Sequence, residues 1–123
     1  MRKKSRDVNK IVIQKIVDYC NKIEAFIERF GPNFEDYRKD DAFQLSCSAC
    51  VIQIGELTTR LSEDFKAQHE EIDWREIKGL RNIHAHEYET VDLKIMWEIL
   101  TQNIPELKAQ LTEILSQETK MLS

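Results

Sequence analysis

The sequence predicts an all-α fold, an up-and-down bundle of four to five helices, on three observations. Glycine (3) and proline (2) are scarce in 123 residues, whereas a small all-β domain needs many turn residues. Apolar residues recur at spacings of three and four through long stretches, the pattern of helices with one buried face. Aspartates at Asp40/Asp41, Asp73 and Asp92 precede such stretches, where an N-cap belongs. The length suits one core and is short for two, so residues 1–123 are read as a single domain.

The first helix is expected over residues 7–30. Val8, Ile11, Val12, Ile16, Tyr19, Ile23, Phe26, Ile27 and Phe30 form its apolar pattern, and Gly31-Pro32 ends it. Residues 33–39 read as a connection with at most one helical turn. A second helix over 41–61 carries Phe43, Leu45, Ala49, Cys50, Ile52, Ile54, Leu57 and Leu61. Gly55 lies inside it at a cost of about 1 kcal/mol against alanine, which predicts that another helix packs closely there. Residues 62–72 are polar and read as a loop or a frayed turn. Asp73 and Glu76 have capping-box spacing, with Ile72 and Ile77 placed for a hydrophobic staple, so a third helix is expected over 74–88. Asp92 caps a fourth over 92–119, and Pro105 should kink it or split it in two.

Hydrophobic residues make up 41% and charged residues 33%, a balance that excludes a disordered chain. No apolar run reaches the ~18 residues of a membrane span, and no apolar segment of a secretory signal follows the basic start. A cytoplasmic protein without a membrane partner is expected. Net charge is −4, which argues against a broad nucleic-acid-coating surface and leaves room for a local phosphate site. Arg2, Lys3, Lys4 and Arg6 read as a solvated end in preference to an RNA-contacting arm. Cys20, Cys47 and Cys50 should be free thiols. Cys47 and Cys50 form a CxxC, but no second such pair supplies the four ligands of a closed zinc site. They read as small buried residues one helical turn apart, and no metal or cofactor is expected.

The candidate site is the segment Arg81-Asn82-Ile83-His84-Ala85-His86-Glu87-Tyr88. At 100° per residue, Ile77, Leu80 and Ile83 define the core face of the third helix, with His84 beside it. His86 falls about 120° from the centre of that face, with Asn82 one turn before it. Arg81 lies on the flank, and Tyr88 falls nearly beneath it if the helix continues. Such a cluster also fits a helix end carrying favourable cations.

The pattern Arg81-x4-His86-x-Tyr88 resembles the RX4HXY signature of HEPN domains, specifically the HepT-type toxins. The likeness extends through Ile54-Gly55-Glu56, Ile72-Asp73-Trp74-Arg75-Glu76-Ile77, Gly79-Leu80-Arg81-Asn82, Val91-Asp92 and Asn103-Ile104-Pro105-Glu106-Leu107. The resemblance implies a four- to five-helix bundle that forms a two-fold homodimer, with a metal-independent ribonuclease site at the dimer cleft. It implies Arg81 and His86 as the catalytic pair and Asn82 as a supporting polar residue. It also implies a cognate antitoxin, a minimal nucleotidyltransferase that attaches AMP to Tyr88. His84 is not part of the signature and receives no role.

Metal-free RNA cleavage needs a base for the 2′-hydroxyl, an acid for the leaving 5′-oxygen and a cation for the phosphorane. Histidine suits both proton roles because its pKa lies near working pH. Arginine offers a planar fork of donors matched to phosphate. One chain has one motif histidine off the core face, so two copies about a two-fold axis supply the base and the acid. The expected function is therefore an endoribonuclease toxin with RNA as substrate. The alternative is a non-catalytic helical partner that binds a nucleotidyltransferase and presents substrate or nucleotide to it.

Overall fold

The computed structural model describes the backbone over residues 2–82 and 92–122, and side chains over 6–82 and 92–118. Among the described residues there are seven α-helices and no strand, so the fold is all-α, as the sequence predicts. His84, His86 and Tyr88 lie outside the described residues, as does the expected continuation of the third helix to residue 88.

Helix α1 spans Arg2–Phe30. It buries Val12, Ile13, Ile16, Cys20 and Ile23 along one stripe. The first inward position of that stripe is the polar Asn9, which is buried. Val8 and Ile11, counted among the apolar positions, flank it and face solvent, 45% and 53% exposed. Gly31 ends the helix at φ +132°, a conformation that favours glycine. A side chain there would also collide with the carboxyl group of Asp36.

Helix α2, Phe34–Arg38, is the single turn expected in the first connection. The backbone N–H of Asn33 donates to Asp36 Oδ2 at 3.3 Å. Tyr37 is fully buried and meets Phe43 edge-on at 5.2 Å between ring centroids. Helix α3, Asp41–Thr58, is capped by Asp40, whose carboxylate accepts from the Phe43 N–H. The Gln44 amide donates to the carbonyls of Tyr37 and Arg38, both at 2.9 Å, tying α2 to α3. Phe30 at the end of α1 stacks on Phe43 at the start of α3, while Asn9 meets Ser62 beyond the end of α3. The two helices are therefore antiparallel.

The segment read as a polar loop contains a helix. Helix α4 spans Glu63–Gln68, capped by Ser62, whose hydroxyl accepts from the Phe65 N–H at 3.2 Å. Phe65 is its one buried residue. A single apolar anchor on a two-turn helix gives no periodicity to read, and tertiary contact stabilises such a short helix.

Helix α5, Trp74–Gly79, starts at the expected cap: Asp73 Oδ1 accepts from the Glu76 N–H at 3.0 Å. Ile72 is buried, and Ile77 packs against the core beside it. A 3₁₀ turn follows at Leu80–Asn82. Helix α6, Leu93–Glu98, is capped by Asp92. A π turn at Ile99–Asn103 leads into helix α7, Ile104–Leu122. Pro105 has no N–H for the α-helical ladder. The wider turn absorbs the defect, with the Ile104 N–H reaching back to the Ile99 carbonyl. Trp97 meets Phe43 near the end of α1, and Lys108 pairs with Glu24 at 2.9 Å, so α6 and α7 run back along α1. One core cluster draws on residues from Val12 to Ile114. No helix among the described residues is long and apolar enough to cross a membrane.

Candidate functional site

Arg81 and Asn82 are the last two residues of the 3₁₀ turn that follows α5. Their position is fixed from beneath by α3. Gly55 is buried, and a β-carbon built on it would stand 2.5 Å from the Arg81 backbone nitrogen, 3.0 Å from the Ile77 carbonyl oxygen and 3.1 Å from the Leu80 carbonyl carbon. Backbone lies directly on backbone there, the close approach that a glycine inside a helix predicts. Thr58 closes the same stretch of α3 by donating its hydroxyl to the Gly55 carbonyl at 2.7 Å.

The start of α5 is held from the other side. The Trp74 indole N–H donates to the His69 carbonyl at 3.0 Å, and Phe65 contacts both the His69 and Trp74 rings. Phe65 belongs to α4, whose cap Ser62 is clasped by Asn9. The Asn9 amide donates to Ser62 Oγ, and the Ser62 N–H donates to Asn9 Oδ1, each at 3.0 Å. A chain of contacts thus runs from α1 through α4 to the segment that ends in Arg81.

Two flanks of α5 differ in charge. A groove of about 280 Å³ opens between α5 and α7, lined by Asp73, Glu76, Ile77 and Leu80 on one side and by Glu106 and Leu107 on the other. Arg75, Lys78 and Arg81 take no part in that lining. Arg75 and Lys78 are exposed and Arg81 is half-buried. Among the described residues none of the three has a carboxylate partner, whereas Arg38, Lys66 and Lys108 each have one. Sequence reading left Arg75 and Lys78 unassigned. Their signal is the repeat of three that ends at Arg81.

The three cysteines are free and buried, as expected. Burial pushes the Cys20 and Cys47 thiols up to about 12 and raises Cys50 as well, which keeps them protonated and inert as nucleophiles. Among the described residues no three His, Cys, Asp or Glu side chains converge as a metal site.

The family model described as ribonuclease HepT-like matches residues 16–114 of this chain. A protein of Caldanaerobacter subterraneus subsp. tengcongensis named as a putative RNase is 36% identical over 107 residues, covering 86% of this chain and 93% of the relative. A protein of Thermococcus cleftensis named as a probable ribonuclease HepT is 30% identical over 106 residues, covering 86% and 94%. One from Methanocaldococcus jannaschii, also named as a putative RNase, is 26% identical over 110 residues, covering 89% and 88%. No solved structure matches the chain.

Proposed function

This chain belongs to the HepT-like ribonuclease family, and on that premise we propose that it is the toxin of a toxin–antitoxin pair, a metal-independent endoribonuclease with Arg81 and His86 as its catalytic pair. One observation carries the reading furthest. Arg81 has no carboxylate partner among the described residues, while its backbone is pressed against Gly55. A guanidinium with no counter-charge among the described residues, on a fixed backbone, suits a phosphate.

Two copies of the chain about a two-fold axis place both His86 side chains in one cleft. One imidazole removes the proton of the 2′-hydroxyl, and that oxygen attacks the adjacent phosphorus. The bond from phosphorus to the 5′-oxygen breaks, and the second imidazole, protonated, gives its proton to the leaving oxygen. The products are a 2′,3′-cyclic phosphate and a 5′-hydroxyl. Arg81 from each copy grips the non-bridging oxygens as charge builds, and Asn82 supports the contact. Tyr88 is the control point: its phenol oxygen attacks the α-phosphate of ATP on the partner nucleotidyltransferase, pyrophosphate leaves, and the attached AMP blocks the cleft. The pair acts in the cytoplasm.

The test is to incubate the purified protein with total RNA and EDTA beside His86→Ala. Wild type should cleave and leave cyclic phosphate ends, while the variant should lose most activity. A strict need for a divalent metal overturns the two-histidine mechanism. No cleavage under any condition favours the non-catalytic partner.

A further inference from the structure

We propose that Arg75, Lys78 and Arg81, with the bare backbone of Gly79 among them, form a strip that holds the sugar–phosphate backbone of single-stranded RNA on its way to the cleaved bond, an assignment that rests on the ribonuclease reading above. The geometry follows from the spacing. Three residues on an α-helix turn 300°, so Lys78 sits about 60° back from Arg75. Lys78 belongs to α5 and Arg81 to the 3₁₀ turn after it, so the step between them lies between the α-helical 300° and the 3₁₀ full circle, and Arg81 sits at most about 60° back from Lys78. The three cations therefore share one flank. The carboxylates nearest in sequence, Asp73 and Glu76, line the groove on the other flank.

The charge pattern is selective. The chain is acidic, at −4, so a net field does not explain a run of cations that lack carboxylate partners among the described residues. A basic strip beside an acidic groove attracts a polyanion along one line and repels it from the other.

Gly79 supplies an independent observation. Each of the other two glycines has a structural reason: Gly31 adopts a positive φ, and Gly55 touches the backbone of the Arg81 turn. At Gly79 a β-carbon would meet no atom of the described residues within 4 Å, and its φ is not positive. Glycine is the costliest residue in a helix after proline, and among the described residues neither a turn nor packing calls for it here. Close approach of a ligand to the helix backbone does.

The test measures RNA affinity in a His86→Ala background, where the RNA stays intact. A labelled single-stranded RNA is titrated at a series of salt concentrations. Each lost phosphate contact lowers the slope of log affinity against log salt by about 0.7 for single strands. R75Q/K78Q should lower it by about 1.4, and Lys39→Gln, beyond the end of α2, should leave it unchanged. Gly79→Ala should raise Tm yet weaken RNA binding. An unchanged slope in R75Q/K78Q overturns the strip, and a Gly79→Ala protein with full affinity removes the glycine from it. If the wild type cuts no RNA, the ribonuclease reading and the strip fail together. If it cuts RNA while the R75Q/K78Q slope is unchanged, only the strip fails.

Discussion

Gly55 on α3 lies so close to Arg81 that a β-carbon on the glycine would stand 2.5 Å from the arginine backbone nitrogen. No real β-carbon contact persists at that distance, and all three nearest atoms are backbone, so the turn as a whole must move. Gly55→Ala should therefore destabilise the protein by about 1–3 kcal/mol, the usual range for overpacking, and displace the Arg81 turn. Thermal unfolding and RNA cleavage measured together check it. Full activity at unchanged Tm overturns this role for Gly55.

That contact was legible in the sequence, because a glycine inside a strongly apolar helix signals close approach of another segment. The helix ends were legible for the same kind of reason. Asp40, Asp73 and Asp92 each accept a backbone N–H at the start of a helix, and Gly31 takes the positive φ of a helix end. What sequence could not show depends on contacts between distant residues. The cap of helix α4 is clasped by Asn9, 53 residues away, and no local pattern records that. The turn at Leu80–Asn82 reads as continuous α-helix by periodicity, since α and 3₁₀ spacings diverge little over three residues. The motif singles out Arg81 and Asn82, whereas the spacing of Arg75 and Lys78 gains meaning from the acidic groove on the opposite flank, which sequence does not locate.

The Asn9–Ser62 clasp should matter more than a surface polar pair. Both hydrogen bonds are at least partly buried, and removing one side leaves the Ser62 N–H without its partner. Asn9→Leu should cost about 1–3 kcal/mol. Urea unfolding gives the number. A loss below a few tenths of a kcal/mol means that water replaces the amide without penalty.

Stability should decline in alkali through the buried thiols. Burial, with Glu24 nearby, lifts Cys20 from 9.0 to about 12, and burial does the same for Cys47. The folded state then keeps protons that the unfolded chain releases above pH 9. The contribution is complete below pH 9 and is lost as the pH rises towards 12. Tm measured from pH 8 to 11.5 under reducing conditions should fall more steeply for the wild type than for Cys20→Ala. Parallel curves for the two proteins count against it.

On the proposed assignment, catalysis should divide between Arg81 and His86 in a characteristic way. Removing a general acid–base group typically costs about 10²–10⁴-fold in rate, so His86→Ala should lose that much in kcat. Arg81→Lys keeps the charge and loses the bidentate fork, so it should be impaired in kcat/KM with the same cleavage products. Single-turnover cleavage of a defined RNA measures both. Wild-type rates in either variant remove that residue from the site.

Regulation through Tyr88 gives the last prediction, and sequence spacing carries it because Tyr88 lies outside the described residues. Were the chain α-helical from Arg81 onward, seven residues at a rise of 1.5 Å would put Tyr88 about 10 Å along the axis, on nearly the same stripe. A phosphodiester on its hydroxyl would then bring negative charge to the proposed site of the RNA phosphate. It would pair with Arg81 through charge-assisted hydrogen bonds and compete with substrate. Modification should abolish cleavage while the fold persists, because the added group is polar and needs no place in the core. Tyr88→Phe lacks only the hydroxyl, so it should remain a ribonuclease and escape modification. Intact-mass measurement after incubation with the partner nucleotidyltransferase and ATP decides between outcomes. An AMP adduct on wild type that is missing from Tyr88→Phe supports the switch. An adduct that persists in Tyr88→Phe, or a modified protein that cuts RNA at full rate, eliminates it.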